Sequence, residues 1–329
     1  MSETQSPYAN PFQPQSDESI QPAGATVITG TGSFGIGQAF QNAWDAAAKN
    51  LGLVYGYAAV FMILLLAVVV VVTMVNLGLT FLMAGLGELI NDEITKAIIT
   101  QIPGQLLSIA TNIVTTTISL GLLAFCIQLL RHHQYSVGSL PGFDTLFIGF
   151  TKIWLVAKVY LLQLLISLLL FLPAAILIGA YVGYLYSSGI DQNADLENML
   201  RNLENPAVLI AIVSIAAVPT ILAVMYIFIR IMFVQYAIIE FDQIKALDCY
   251  KHSWRLTQNW STIGKIILLG LAEFFIAIAA TLVVLLSCGL LLPLVMAWFA
   301  LVHSDVYVQL NGTPVKTTAD NSTFQTLEY

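Results

Sequence analysis

The sequence predicts an all-α, polytopic membrane protein with six transmembrane helices in three pseudo-repeats, each an amphipathic helix followed by a transmembrane hairpin. Three observations carry that expectation. Charged residues make up 9% and apolar residues 58% of the 329 positions, against about 25% charged in an ordinary soluble domain. With so few charges and a mean hydropathy of +0.83, lipid must be the solvent for most of the surface. Six apolar runs are long enough to cross a bilayer, which takes about 20 residues of helix. An aromatic-x-x-x-Trp pair precedes every second run: Phe40/Trp44, Phe150/Trp154 and Tyr250/Trp254. Their period is roughly one hundred residues, far beyond solenoid repeats.

The first unit opens at Ile36, where Phe40, Ala43, Trp44 and Ala47 share one helical face and Gln38, Gln41, Asp45 and Lys49 lie opposite. Its crossings run from Leu53 to Val75 and from Gln105 to Leu130, the second stopping at Arg131-His132-His133. The second unit places Phe143, Leu146, Phe147, Phe150 and Trp154 on one side of a helix. Its first crossing, Val156 to Tyr186, contains Pro173, which removes a backbone donor and predicts a kink or tilt. The next starts at Pro206, carries Pro219, and ends at Arg230, where a guanidinium can snorkel to headgroups. The apolar stretch Ile231 to Ile239 is too short to span and ends at Glu240. In the third unit Ile244, Leu247, Tyr250 and Trp254 lie together beside Lys245, Lys251 and Arg255. The last crossings, Ile266 to Leu286 and Leu290 to Leu310, are joined by Ser287-Cys288-Gly289.

Six crossings sort the charges. Of the 12 basic residues, Lys96 and Arg201 fall on one side and the rest on the side of both termini. The positive-inside rule then predicts a multi-pass protein of the cytoplasmic (inner) membrane with both termini in the cytoplasm. The domains expected are a disordered cytoplasmic tail over 1–33, too polar to pack, a six-helix membrane domain over 34–310, and a short polar tail over 311–329. Within the first tail, Pro7 to Phe12 has the look of a short docking motif. A pI near 4.9 and the lack of any basic stripe exclude a nucleic-acid partner. Cys126, Cys249 and Cys288 read as unpaired thiols.

Candidate chemistry is sparse. Gly30-Thr31-Gly32-Ser33-Phe34-Gly35 spells a dinucleotide fingerprint, but the chain beyond it enters a membrane helix, so no βαβ unit forms and no cofactor is expected. His132 and His133 point in different directions on a helix, and neither they nor His303-x-Asp305 has metal-ligand spacing; no metal is expected. Gly52-x-x-x-Gly56 and Gly179-x-x-x-Gly183 read as packing motifs, within the chain or between chains. No catalytic motif occurs, so no enzyme is expected.

The stretch Arg230, Ala237-Ile238-Ile239-Glu240, Ala246-Leu247 and Ser253-Trp254-Arg255-Leu256-Thr257 resembles the membrane domain of glycerophosphoryl diester phosphodiesterases, and the related stand-alone six-helix bacterial membrane proteins. The resemblance implies a fold and a location. In fused members the phosphodiesterase activity belongs to a soluble barrel after the membrane region, and fewer than 20 residues follow Leu310 here. The resemblance therefore implies no enzymatic activity. The last helix also departs from the family's basic ending, carrying His303, Asp305 and Gln309 instead.

The remaining candidates are the ionisable groups in apolar runs, each costing at least about 2.5 kcal/mol at mid-helix. Glu273 lies inside the fifth crossing, with Lys158 and Arg230 nearer the ends; Arg230 and Glu240 are a candidate structural pair, and Glu273 a candidate polar pathway. The functional expectation is a non-enzymatic, lipid-associated or membrane-organising protein whose partners are membrane lipids. The alternative is a small-molecule or ion transporter or channel; an intramembrane lipid-modifying enzyme ranks third, lacking a second convergent polar group.

Overall fold

The structure, a computed structural model, describes residues 28–29, 33–88, 93–136, 139–187, 206–241 and 244–313. The docking motif at Pro7–Phe12, most of both tails, the first half of the glycine fingerprint and the connections at 89–92 and 188–205 lie outside the described residues.

The chain is an all-α polytopic membrane protein. Among the described residues, six stretches are long and apolar enough to cross a membrane: Leu51–Met83, Gln101–Gln134, Ile153–Ile176, Ala217–Glu240, Trp260–Leu286 and Leu292–Asn311. Helix α1 (Ile36–Lys49) leads into α2 (Leu51–Glu88), which pairs with α3 (Glu93–Tyr135). A 3-10 turn over Phe143–Phe147 and the one-turn α4 (Ile148–Thr151) precede α5 (Ile153–Ser187). Then come α6 (Pro206–Ile231), the short α7 (Val234–Glu240), α8 (Ala246–Leu256), α9 (Trp260–Leu286) and α10 (Leu292–Asn311). A two-residue antiparallel bridge joins Ile28–Thr29 to Gly312–Thr313. The expected crossings all form, and most of the helices extend beyond the apolar runs that announced them. Helices α3, α5 and α6 continue through Pro103, Pro173 and Pro219.

The core sits where α1, the C-terminal third of α3, α7 and α10 meet. Leu120, Phe125, Cys126, Leu129 and Leu130 of α3 are fully buried, as are Leu301, Val302, Val306 and Tyr307 of α10. Tyr57 of α2 stacks on Phe125 with centroids 3.8 Å apart and donates its hydroxyl to the Gly121 carbonyl at 3.2 Å. Helix α1 turns Ala39, Ala43 and Ala46 onto this core and lies along α10, where Phe40 stacks on Trp298 at 5.6 Å. Its apolar face therefore meets mostly protein, and Trp44 alone of that face is strongly exposed.

The second unit does not open with one amphipathic helix as expected. It breaks into the 3-10 turn, α4 and the start of α5, with Lys152 closing α4. The reason is contact with α3: a Cβ on Gly121 would overlap the Leu146 carbonyl, and one on Gly149 the Thr117 carbonyl. Two bare glycines let the segment lie backbone to backbone on α3. By contrast, a Cβ at Gly52, Gly56 or Gly179 would meet nothing within 4 Å, so those motif positions make no tight contact among the described residues. The α9–α10 link turns through the left-handed region at Cys288 (φ 52°) and Gly289 (φ 84°), and the Gly289 amide closes α9 by donating to Val284 at 2.8 Å.

Candidate functional site

Helix α10 carries two polar stripes at i, i+4 spacing, Asp305/Gln309 and Tyr307/Asn311, and each meets different partners. The carboxylate of Asp305 is fully buried and accepts from Asn42 Nδ2 of α1 at 3.2 and 3.3 Å. It also accepts from Gln134 Nε2 of α3 and from Gln309 Nε2, each at 2.5 Å. Neutral amides thus replace water around this acid and tie three helices together. On the other stripe, Glu240 at the end of α7 accepts from Arg131 Nη2 at 2.5 Å, from Asn311 Nδ2 at 2.7 Å and from the Tyr307 hydroxyl.

Arg230 occupies a separate node. Its guanidinium donates to the Thr257 carbonyl and, at 2.8 Å, to the Tyr226 hydroxyl, and it lies 4.9 Å from the Trp254 ring centroid and 5.0 Å from that of Tyr226. Ser253 stitches the bend between α6 and α7, donating to the Arg230 carbonyl at 2.7 Å and accepting from the Phe233 amide at 3.1 Å. The structure therefore brings Arg230 together with Ser253, Trp254 and Thr257, residues of the motif noted in the sequence. The expected Arg230–Glu240 pair is not formed: each charge is held by another cluster, because the bend at Met232–Phe233 turns α7 toward α3 while Arg230 stays against α8.

Glu273 meets His303 across α9 and α10, with Oε2 and Nε2 3.0 Å apart. Both are largely enclosed, and Glu273 Oε1 and His303 Nδ1 find no protein partner. Glu273 lies about 12 Å of helix rise beyond Lys265, whose ammonium donates to the Phe34 carbonyl at 2.9 Å. Glu273 and His303 come from sequence positions 30 apart, each visible alone as an oddity in an apolar run; their juxtaposition depends on the α9–α10 turn.

On α8, His252 is buried edge-on to Phe241, with centroids 5.2 Å apart. Burial, then the charge of Arg255, lowers its imidazole to about 4, so it is neutral at physiological pH. Burial pushes the Cys249 thiol up to about 12, leaving an inert side chain.

Lys158 stands apart from all these nodes. It is exposed on α5 and lines an open cleft of about 360 Å³ with Lys152, Trp154, Leu155, Ile244 and Lys245. Lys152 is committed to the fold: its ammonium donates to the carbonyls of Ile238, Phe241 and Ile239 at 2.8, 3.1 and 3.2 Å, capping α7. Among the described residues no group of three His, Cys, Asp or Glu side chains could hold a metal ion. Sequence reasoning missed Asn42, Gln134, Tyr307 and Asn311 as partners of buried acids; the i, i+4 spacing of the α10 stripes was the available signal. No family model, curated protein or solved structure matches this chain.

Proposed function

We propose that the chain is a non-enzymatic, lipid-associated protein of the cytoplasmic membrane that organises the bilayer around a rim of tryptophans and basic side chains, with both termini in the cytoplasm. The observation that carries this reading is the exposure of Trp44, Trp154, Trp254 and Trp260 at 65, 80, 45 and 75%. All four sit at or beside the starts of apolar spans, next to Lys49, Lys152, Lys158, Arg255 and Lys265. Exposed tryptophan beside basic residues suits the boundary between acyl chains and headgroups. The buried acids support a structural role, since Asp305 and Glu240 are surrounded by donors and offer no vacant base. The resemblance to the membrane domain of glycerophosphoryl diester phosphodiesterases agrees with the same reading.

Brominated-lipid quenching of single-tryptophan variants tests it: quenching is expected to peak with bromines near the headgroups for Trp44, Trp154 and Trp254. Maximal quenching from bromines at the acyl-chain ends, or none, would sink the reading. The orientation rests on the lysine distribution and is tested with single cysteines and an impermeant reagent on intact cells. Labelling of position 248 from outside would reverse it.

A second reading, transport, is favoured by one observation: Glu273 and His303 meet inside the spanning region with a polar atom each left over. Flux of protons or solutes into proteoliposomes that vanishes with Glu273→Gln would favour it over the first.

A further inference from the structure

In the cleft between the α4–α5 junction and the start of α8, Lys152 serves the fold by capping α7, whereas Lys158 and Lys245 have no such task among the described residues. One wall is Thr151 at the end of α4 with Trp154, Leu155 and Lys158 of α5, where Trp154 and Lys158 have i, i+4 spacing and so project to one side. The other wall is Ile244, Lys245 and Ala246. Three of the lining side chains are lysines, and among the described residues none of the lining is acidic. Lys152 is held by three carbonyls, but Lys158 and Lys245 are exposed at the opening. Lys245 is the N-cap of α8 and makes no side-chain cap bond, so the first-turn amides of an 11-residue helix add partial positive charge at the same place.

The apolar half of the lining is as telling as the charged half. Trp154, 80% exposed, and Leu155 border the lysines directly and continue onto the bare apolar length of α5, where Leu161, Leu165 and Leu168 are also exposed. A soluble anion would need only the lysines. A molecule with an anionic phosphate at one end and acyl chains at the other would use both halves, with its phosphate between Lys158 and Lys245 and its glycerol and first methylenes over Trp154 and Leu155. The volume of about 360 Å³ suits a glycerophosphate headgroup.

We propose that this cleft is a binding site for one anionic glycerophospholipid, with Lys158 and Lys245 as the phosphate ligands. The inference rests on the lipid-associated reading above and gives it a place and a headgroup charge. Each lysine near an anionic lipid surface contributes about a five-fold change in affinity. Lys152 is not a useful target, because removing it uncaps α7.

The test uses the full chain in detergent, titrated with phosphatidylglycerol or phosphatidylcholine and read by native mass spectrometry for retained lipid. The expected result is one retained phosphatidylglycerol in preference to phosphatidylcholine. Lys158→Ala and Lys245→Ala should each weaken it about five-fold, while Lys251→Ala, paired outside the cleft with Asp248 at 3.1 Å, should leave it unchanged. Unaltered thermal unfolding of the variants separates lost binding from lost fold. Inorganic phosphate and glycerol 3-phosphate form the second arm: displacement of the lipid by millimolar amounts of either would assign the site to a soluble phosphate compound and overturn the lipid proposal. Retained phosphatidylglycerol that neither variant weakens would overturn this site while leaving the lipid-associated reading standing. Equal retention of both lipids would overturn the anionic site while leaving the lipid-associated reading standing, and retention of neither would sink site and reading together.

Discussion

The C-terminal third of α3 and the outer length of α5 are built from the same residues and live in different solvents. In α3, Leu120, Phe125, Leu129 and Leu130 are fully enclosed by protein; in α5, Leu161, Leu165, Leu168 and Leu169 are half exposed or more. Both helices carry apolar runs long enough to cross a membrane, so run length and apolarity alone do not say which will be enclosed. What separates them is polar chemistry: around α3 stand Asn42, Arg131, Gln134, Glu240 and Asp305, each engaged with another, and along the outer part of α5 there is little to engage. In lipid, apolar contact alone gives no preference between protein and solvent, so packing is set by hydrogen bonds and close backbone approach. The bare length of α5 is where the bilayer itself takes the place of a neighbouring helix.

The sharpest way to break that comparison is to fill the closest approach. Gly121→Val should lower stability by more than about 3 kcal/mol, because the Leu146 carbonyl has no room to retreat; thermal unfolding in detergent reads it. A small effect would mean that the 3-10 turn is not seated on α3. Next comes Glu240→Ala, which strands the Arg131 guanidinium and should cost about 3 kcal/mol. Partial recovery with Arg131→Met in the same chain would show that the stranded charge, and not lost volume, is responsible.

A third effect depends on pH. His252 is held near 4 when folded against about 6.5 unfolded, so the unfolded chain binds the extra proton between those values. Its contribution is present above pH 6.5 and is lost as the pH falls toward 4, up to about 3 kcal/mol in all. His252→Gln should flatten the slope of unfolding midpoint against pH in that window; an unchanged slope would move the acid sensitivity elsewhere. The smallest effect belongs to the bare region. Gly52→Ala meets open space and should stabilise α2 by less than about 1 kcal/mol. A large loss there would reveal a helix contact made outside this chain.

The six crossings and the tight α9–α10 link were legible because length and apolarity are properties of a run. Partners are not. Arg230 and Glu240 looked like a pair from spacing, yet Glu240 finds Arg131 from 109 residues away and Arg230 finds the carbonyl of Thr257. The second amphipathic segment looked helical by face, but periodicity does not record that Gly121 and Gly149 face carbonyls across a helix contact. Gly52 and Gly56 carried the recognisable packing signature, yet among the described residues a Cβ at either would meet nothing within 4 Å. The candidate cleft was visible only as scattered lysines, since its walls come from residues 151–158 and 244–246.

The convergence of acids and amides on α10 has a consequence in time. Asp305 lies 171 residues beyond Gln134, and at about 5–20 residues per second the ribosome takes on the order of ten to thirty seconds to supply it. Throughout the later part of that interval Asn42 and Gln134 are already made while Asp305 is not, and the Arg131–Glu240 pair still lacks Tyr307 and Asn311. The earlier helices are thus made with polar groups whose remaining partners lie on α10, and that one helix supplies the missing side chains of both clusters. Neither cluster can be completed before the tenth helix is made, and until then Asn42 and Gln134 lack the acid they share.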